Sequence, residues 1–128
     1  NYLFYKLKDA KGYANVAGDH LGLYAVNSRI YVDKAGDDAG VGMESSELRA
    51  KKVGSFLGLY SKNCKIYVDE AEDYAGEGMK NSELYISRLN GELAPSCLEG
   101  NNKTFLGRET YEKNSYFYER KGVKIWEK

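Results

Sequence analysis

Apolar positions along this chain come in short runs, not at helical spacing. In Ile30-Tyr31-Val32-Asp33 the apolar Ile30 and Val32 alternate with Tyr31 and Asp33, the period-two signature of a strand with one buried face. A run over residues 20–25 precedes it, and Asn27 in the intervening segment 26–28 tolerates positive φ, so the pattern predicts a hairpin: strand, polar turn, returning strand over 29–33. Further strands are expected over 2–7, 47–53, 83–89 and 123–126, with weaker candidates over 13–16 and 92–98.

The hairpin recurs. Leu21-Gly22-Leu23-Tyr24 returns as Leu57-Gly58-Leu59-Tyr60 and Ile30-Tyr31-Val32-Asp33 as Ile66-Tyr67-Val68-Asp69, both 36 residues on. Over residues 21–48, 18 of 28 positions match their counterparts without a gap, far beyond coincidence, so the segments about 19–54 and 55–90 are copies. A degraded third copy, about 103–128, follows from setting Thr104-Phe105-Leu106-Gly107 against Ser55-Phe56-Leu57-Gly58, with a turn two residues longer. Three stacked hairpin units in one 128-residue domain, residues 1–128, resemble a β-trefoil. That resemblance implies an all-β fold with pseudo-threefold symmetry, as in many lectins, growth factors and protease inhibitors. A two-repeat β-sandwich or a small barrel is the alternative.

Composition narrows the function. The 12 Tyr, 14 Gly and single Pro suit strands and tight turns. Equal numbers of basic and acidic residues, 19 each, leave no net field to draw nucleic acid, and no apolar run is long enough to insert into a membrane. Two cysteines, Cys64 and Cys97, permit one disulfide and are too few for a cysteine-based metal centre. Cys64 occupies a turn position and is expected to be accessible.

Between the hairpins run duplicated acidic loops, 34–45 and 70–81, rich in glycine. Oxygen ligands on a flexible loop are what calcium prefers, yet the spacing is not that of an EF-hand, so no cofactor is assigned and calcium is the one cation considered. The same loops and strands supply Asn27, Tyr31, Asp33 and Asp37, then Asn63, Tyr67, Asp69 and Asp73. Paired hydrogen-bonding groups beside a Tyr face are the chemistry of sugar binding. The expected function is therefore a non-enzymatic module presenting repeated loops to an extracellular glycan or a protein partner. One competing expectation is a small secreted effector enzyme, nuclease-like, using His20, the only histidine. Another is an inhibitor or structural protein whose interface is the aromatic strip over 111–121, through Tyr116 and Tyr118.

Overall fold

The computed structural model describes residues 2–127. Seven strands form a single sheet: β1 (Lys11–Val16), β2 (Arg29–Lys34), β3 (Glu47–Lys52), β4 (Lys65–Ala71), β5 (Glu83–Leu89), β6 (Lys103–Leu106) and β7 (Lys124–Ile125). They lie side by side in chain order and every pair is parallel. Parallel neighbours need a crossover, which in α/β proteins is usually a helix. Here, up to β5, it is a run of turns.

The register shows how. Lys11 stands beside Arg29, then Glu47, Lys65 and Glu83, a step of 18 residues each time. The hydrogen bonds between crossovers recur at the same step: Gly40 N–H donates to Leu21 C=O, Gly58 to Ala39 and Gly76 to Leu57. A second short ladder joins Lys8, Val26, Glu44, Lys62 and Lys80. The chain thus winds as a stack of 18-residue coils, each contacting chiefly its neighbours, which is a solenoid.

This overturns the hairpin reading and with it the β-trefoil, the sandwich and the barrel. Alternation within 29–33 correctly marked a strand with one buried face, but it carries no information on whether the partner runs parallel or antiparallel. Residues 20–25 are not extended: His20, Gly22 and Tyr24 have φ of 64°, 69° and 59°, and Phe56, Gly58 and Tyr60 repeat this at 62°, 71° and 58°. The run over 2–7 is turned likewise, with Phe4 at 61° and Lys6 at 54°. The third copy fails too, because Phe105 sits in β6 beside Tyr85 whereas Phe56 is a corner. In place of the expected strand over 92–98 there is a 3₁₀ turn, Pro95–Leu98, and the aromatic strip forms two short helices, α1 (Arg108–Glu112) and α2 (Ser115–Arg120).

The 36-residue repeat is a consequence of packing. Down one core column large and small side chains alternate, Leu21, Ala39, Leu57, Ala75; the column beside it alternates in the opposite sense, Ala25, Met43, Ser61, Met79. All are buried. A long side chain in one coil fills the space its short neighbour leaves, so two coils make one well-packed unit. Strand positions Ile30, Leu48, Ile66 and Leu84 complete the interior.

Buried polar groups at one corner are satisfied in series. Ser28 N–H donates to Ser46 Oγ at 3.0 Å, and Cys64 N–H to Ser82 Oγ at 3.0 Å. The Ser46 and Ser82 hydroxyls in turn donate to the carbonyls of Glu44 and Lys80. Each hydroxyl closes one coil onto the next without an orphaned donor.

Candidate binding groove

The outward face of the sheet is built by the same 18-residue step. Register brings Tyr13, Tyr31, Arg49, Tyr67, Tyr85 and Phe105 into one row across six strands. Neighbouring strands stand about 4.8 Å apart, so the rings meet. Tyr67 and Tyr85 stack at 4.5 Å between centroids, Tyr85 and Phe105 at 4.4 Å, and Tyr13 meets Tyr31 edge-on at 5.2 Å. The Arg49 guanidinium lies 4.1 Å from the Tyr67 centroid, a cation–π contact. Glu47 Oε2 accepts from Arg49 Nε at 2.6 Å, and this hydrogen bond holds the guanidinium above its usual pKa.

A parallel row carries Asn15, Asp33, Lys51 and Asp69, with Lys51 Nζ 3.5 Å from Asp33 Oδ1. Across the far end Trp126 leans on Tyr85 edge-on at 5.3 Å and on Tyr67 at 6.2 Å. From these rows Tyr13, Tyr31, Arg49 and Tyr67, with Asn15, Asp33, Lys51 and Asp69, line an open groove of about 820 Å³ that Trp126 closes at one end, within the size range of small-ligand sites. Tyr85 lies behind Tyr67 and Trp126; burial, then its hydrogen bond to Glu83, pushes its phenol well above the usual range.

Of the eight residues expected to bind sugar, Tyr31, Asp33, Tyr67 and Asp69 line this groove. Asn27 and Asn63 do not. They occupy the corner before the strands, beside a smaller depression of about 430 Å³, and Asn27 Nδ2 donates to Asp9 Oδ1 at 2.7 Å. Asp37 and Asp73 sit at the corner after the strands, where Asp37 Oδ1 accepts from Ser55 N–H at 2.8 Å and Asp73 Oδ1 from Glu92 N–H at 3.1 Å. Among the described residues no group of three or more His, Cys, Asp and Glu is gathered as a metal ligand set.

His20 lies on a corner outside the groove, stacked on Tyr2 at 5.1 Å with Nδ1 3.6 Å from Asp38 Oδ2. Tyr116 is exposed on α2, while Tyr118 packs on Tyr111 at 5.8 Å and burial raises its pKa. The two tyrosines therefore face different surroundings. Cys64 is buried, contrary to expectation, because its turn position points inward along the serine ladder; both cysteines are free.

Arg49, Lys51, Tyr13, Asn15 and Trp126 are groove residues that the 36-residue repeat does not reveal. An 18-residue step would have found the first four, since Tyr13 precedes Tyr31 and Arg49 follows it by that interval. Nothing in the sequence places Trp126 there. No protein-family model, curated protein or solved structure matches the chain.

Proposed function

We propose that the chain is a binding module for an extended extracellular glycan, held along the outward face of the sheet in the groove between Tyr31 and Trp126. The carrying observation is the row of rings and the parallel row of Asn15, Asp33, Lys51 and Asp69, both recurring at the strand spacing. Groups that repeat along one axis suit a ligand whose own groups repeat, and a polysaccharide offers alternating apolar ring faces and hydroxyls. The face of Tyr67 is already taken up between Arg49 and Tyr85. Tyr13, Tyr31 and Trp126 stack face to face on no neighbour among the described residues, so these are the rings with a surface to give. Asp33 and Lys51 then serve as acceptor and donor for hydroxyls.

The test uses Trp126, the single tryptophan, as an internal reporter. A glycan array, with and without chelator, identifies the polymer, and titration with that polymer is expected to change Trp126 fluorescence. Tyr31→Ala is expected to weaken binding at least tenfold with the fold intact. Unchanged affinity in both Tyr31→Ala and Trp126→Ala, or cleavage of the polymer by the native chain, would sink the reading. A protein partner is the second reading, favoured by the exposed Tyr116 beside Arg120; there Tyr116→Ala, not Tyr31→Ala, abolishes binding.

A further inference from the structure

The outward face of the sheet carries a third row, two residues before the rings on each strand. Arg29, Glu47, Lys65, Glu83 and Lys103 stand side by side there, alternating in sign. Opposite charges on neighbouring strands ordinarily form a cross-strand ladder, each carboxylate shared with the cations beside it. Here the carboxylates turn along their own strands instead. Glu47 Oε2 accepts from Arg49 Nε, and Glu83 Oε1 from the Tyr85 hydroxyl, both at 2.6 Å. Arg29 and Lys65 are exposed on strands that have a neighbour on each side. Their side chains have no ion-pair or hydrogen-bond partner among the described residues.

These two cations, with Lys11, border the depression of about 430 Å³ before the strands. Ser45 and Asn63 also line it, their hydroxyl and amide equally without a partner. Of the acids there, Asp9 is occupied by Asn27 and Glu47 by Arg49. The depression therefore offers hydrogen-bond donors and positive charge. Arg29 precedes Tyr31 by two residues of an alternating strand, so depression and groove open side by side on one face, about 7 Å apart along the strand.

We propose that the depression is a subsite for a carboxylate carried by the polymer in the groove, which makes the ligand an acidic glycan with one uronate per disaccharide. This rests on the glycan reading of the groove. Arg29 and Lys65 lie two strands apart, about twice the 4.8 Å spacing, an advance comparable to two sugar units of an extended chain. A charge on every second sugar meets a cation each time, and Glu47 falls opposite the uncharged sugar between them. The planar Arg29 guanidinium can take a carboxylate in two parallel hydrogen bonds. Asp33 and Asp69, across the groove, oppose a second anionic group on that side. A phosphate backbone suits the row poorly, because its charge recurs at every nucleotide and would meet Glu47.

The test compares hyaluronan, heparosan and unsulfated chondroitin, all alternating uronate polymers, each with its carboxyl-reduced neutral form. At least one acidic polymer is expected to bind tenfold or more tighter than its reduced form, and added salt should erase the difference. Arg29→Gln combined with Lys65→Gln should bring the acidic polymer to the affinity of the reduced one with circular dichroism unchanged. Lys34→Gln combined with Lys52→Gln removes the same charge at the far ends of β2 and β3 and should not. Equal losses in the two double variants, or tighter binding of a sulfated chondroitin or an oligonucleotide, would overturn the subsite. A native chain that binds only neutral glycans, through Tyr31 and Trp126, would overturn the subsite and leave the glycan reading in place; a chain that binds no glycan would overturn both.

Discussion

The Cδ1–Cε1 edge of the Tyr24 ring presses on Gly42 of the next coil, so close that a β-carbon on Gly42 would come 2.5 Å from Tyr24 Cδ1. Tyr60 and Gly78 repeat the arrangement. Both glycines also have positive φ, 65° and 68°. Gly42→Ala thus meets two penalties, the left-handed backbone and the ring, and is expected to cost about 2–4 kcal/mol in urea unfolding. Gly100, with φ 63° and open space around it, supplies the control: Gly100→Ala is expected to lose only about 1 kcal/mol. Equal losses at the two sites would mean that the ring does not rest on Gly42.

Ser82 ties three coils together, accepting from Cys64 N–H, donating to Lys80 C=O and giving its own N–H to Asn102 Oδ1 at 3.0 Å. Ser82→Ala removes the acceptor and leaves the buried Cys64 N–H unpaired, a loss of about 1–3 kcal/mol. Amide exchange provides the direct measurement, since the Cys64 amide should exchange faster while Ser28, bonded to Ser46, keeps its protection. Uniform acceleration of both would point to global destabilisation instead of a broken rung.

The strands were legible in the sequence and their partners were not. Alternation in 29–33, 47–53 and 83–89 identifies β2, β3 and β5 nearly to their ends, because one-sided burial imposes period two whatever the neighbour. What hid the coil was side-chain complementarity. Successive coils share few identities, since Leu21 must meet Ala39 and Tyr24 must meet Gly42; the two-coil unit repeats clearly and the one-coil unit does not. The corners were misread for a related reason. Apolar runs such as Leu21-Gly22-Leu23-Tyr24 look like strand, but the outward residues sit at left-handed φ, a conformation that disfavours a side chain and is stabilised here by packing between coils. Half of the expected sugar-binding residues fell on the groove because strand faces were right. The other half fell on corners, where Asp37 and Asp73 accept from backbone N–H groups and Asn27 and Asn63 hold left-handed φ of 49° and 56°.

Asp37 and Asp33 separate those two roles. Asp37 Oδ1 accepts from Ser55 N–H, and its carboxylate lies over Gly54, so Asp37→Ala is expected to lower stability by about 1 kcal/mol and leave groove binding unchanged. Asp37→Asn keeps the acceptor and should recover most of that loss. Asp33, exposed beside Lys51 in the groove, behaves in the opposite way: Asp33→Ala barely shifts the urea midpoint but weakens the ligand in a Trp126 fluorescence titration. Loss of binding in the Asp37 variant at full stability would return that aspartate to the site.

Cys97 gives the fold an alkaline limit. Burial pushes its thiol from an ordinary 9.0 up to about 11, with the Thr104 hydrogen bond acting weakly the other way. Between those values the unfolded chain has lost the proton and the folded chain still holds it, so the folded state binds more protons and stability falls as pH rises. The contribution is complete below pH 9 and is lost as pH climbs through 11, a span of two pH steps worth about 3 kcal/mol. Cys64, also raised by burial, slopes in the same direction. Urea midpoints measured from pH 8 to pH 11 should therefore decline, and Cys97→Ala should flatten the decline even if it lowers the midpoint at pH 8 through the cavity it leaves. In the native chain both thiols should resist a thiol-reactive reagent until urea is added. An unaltered slope in Cys97→Ala would assign the alkaline sensitivity to Cys64 and the raised tyrosines Tyr85 and Tyr118 instead.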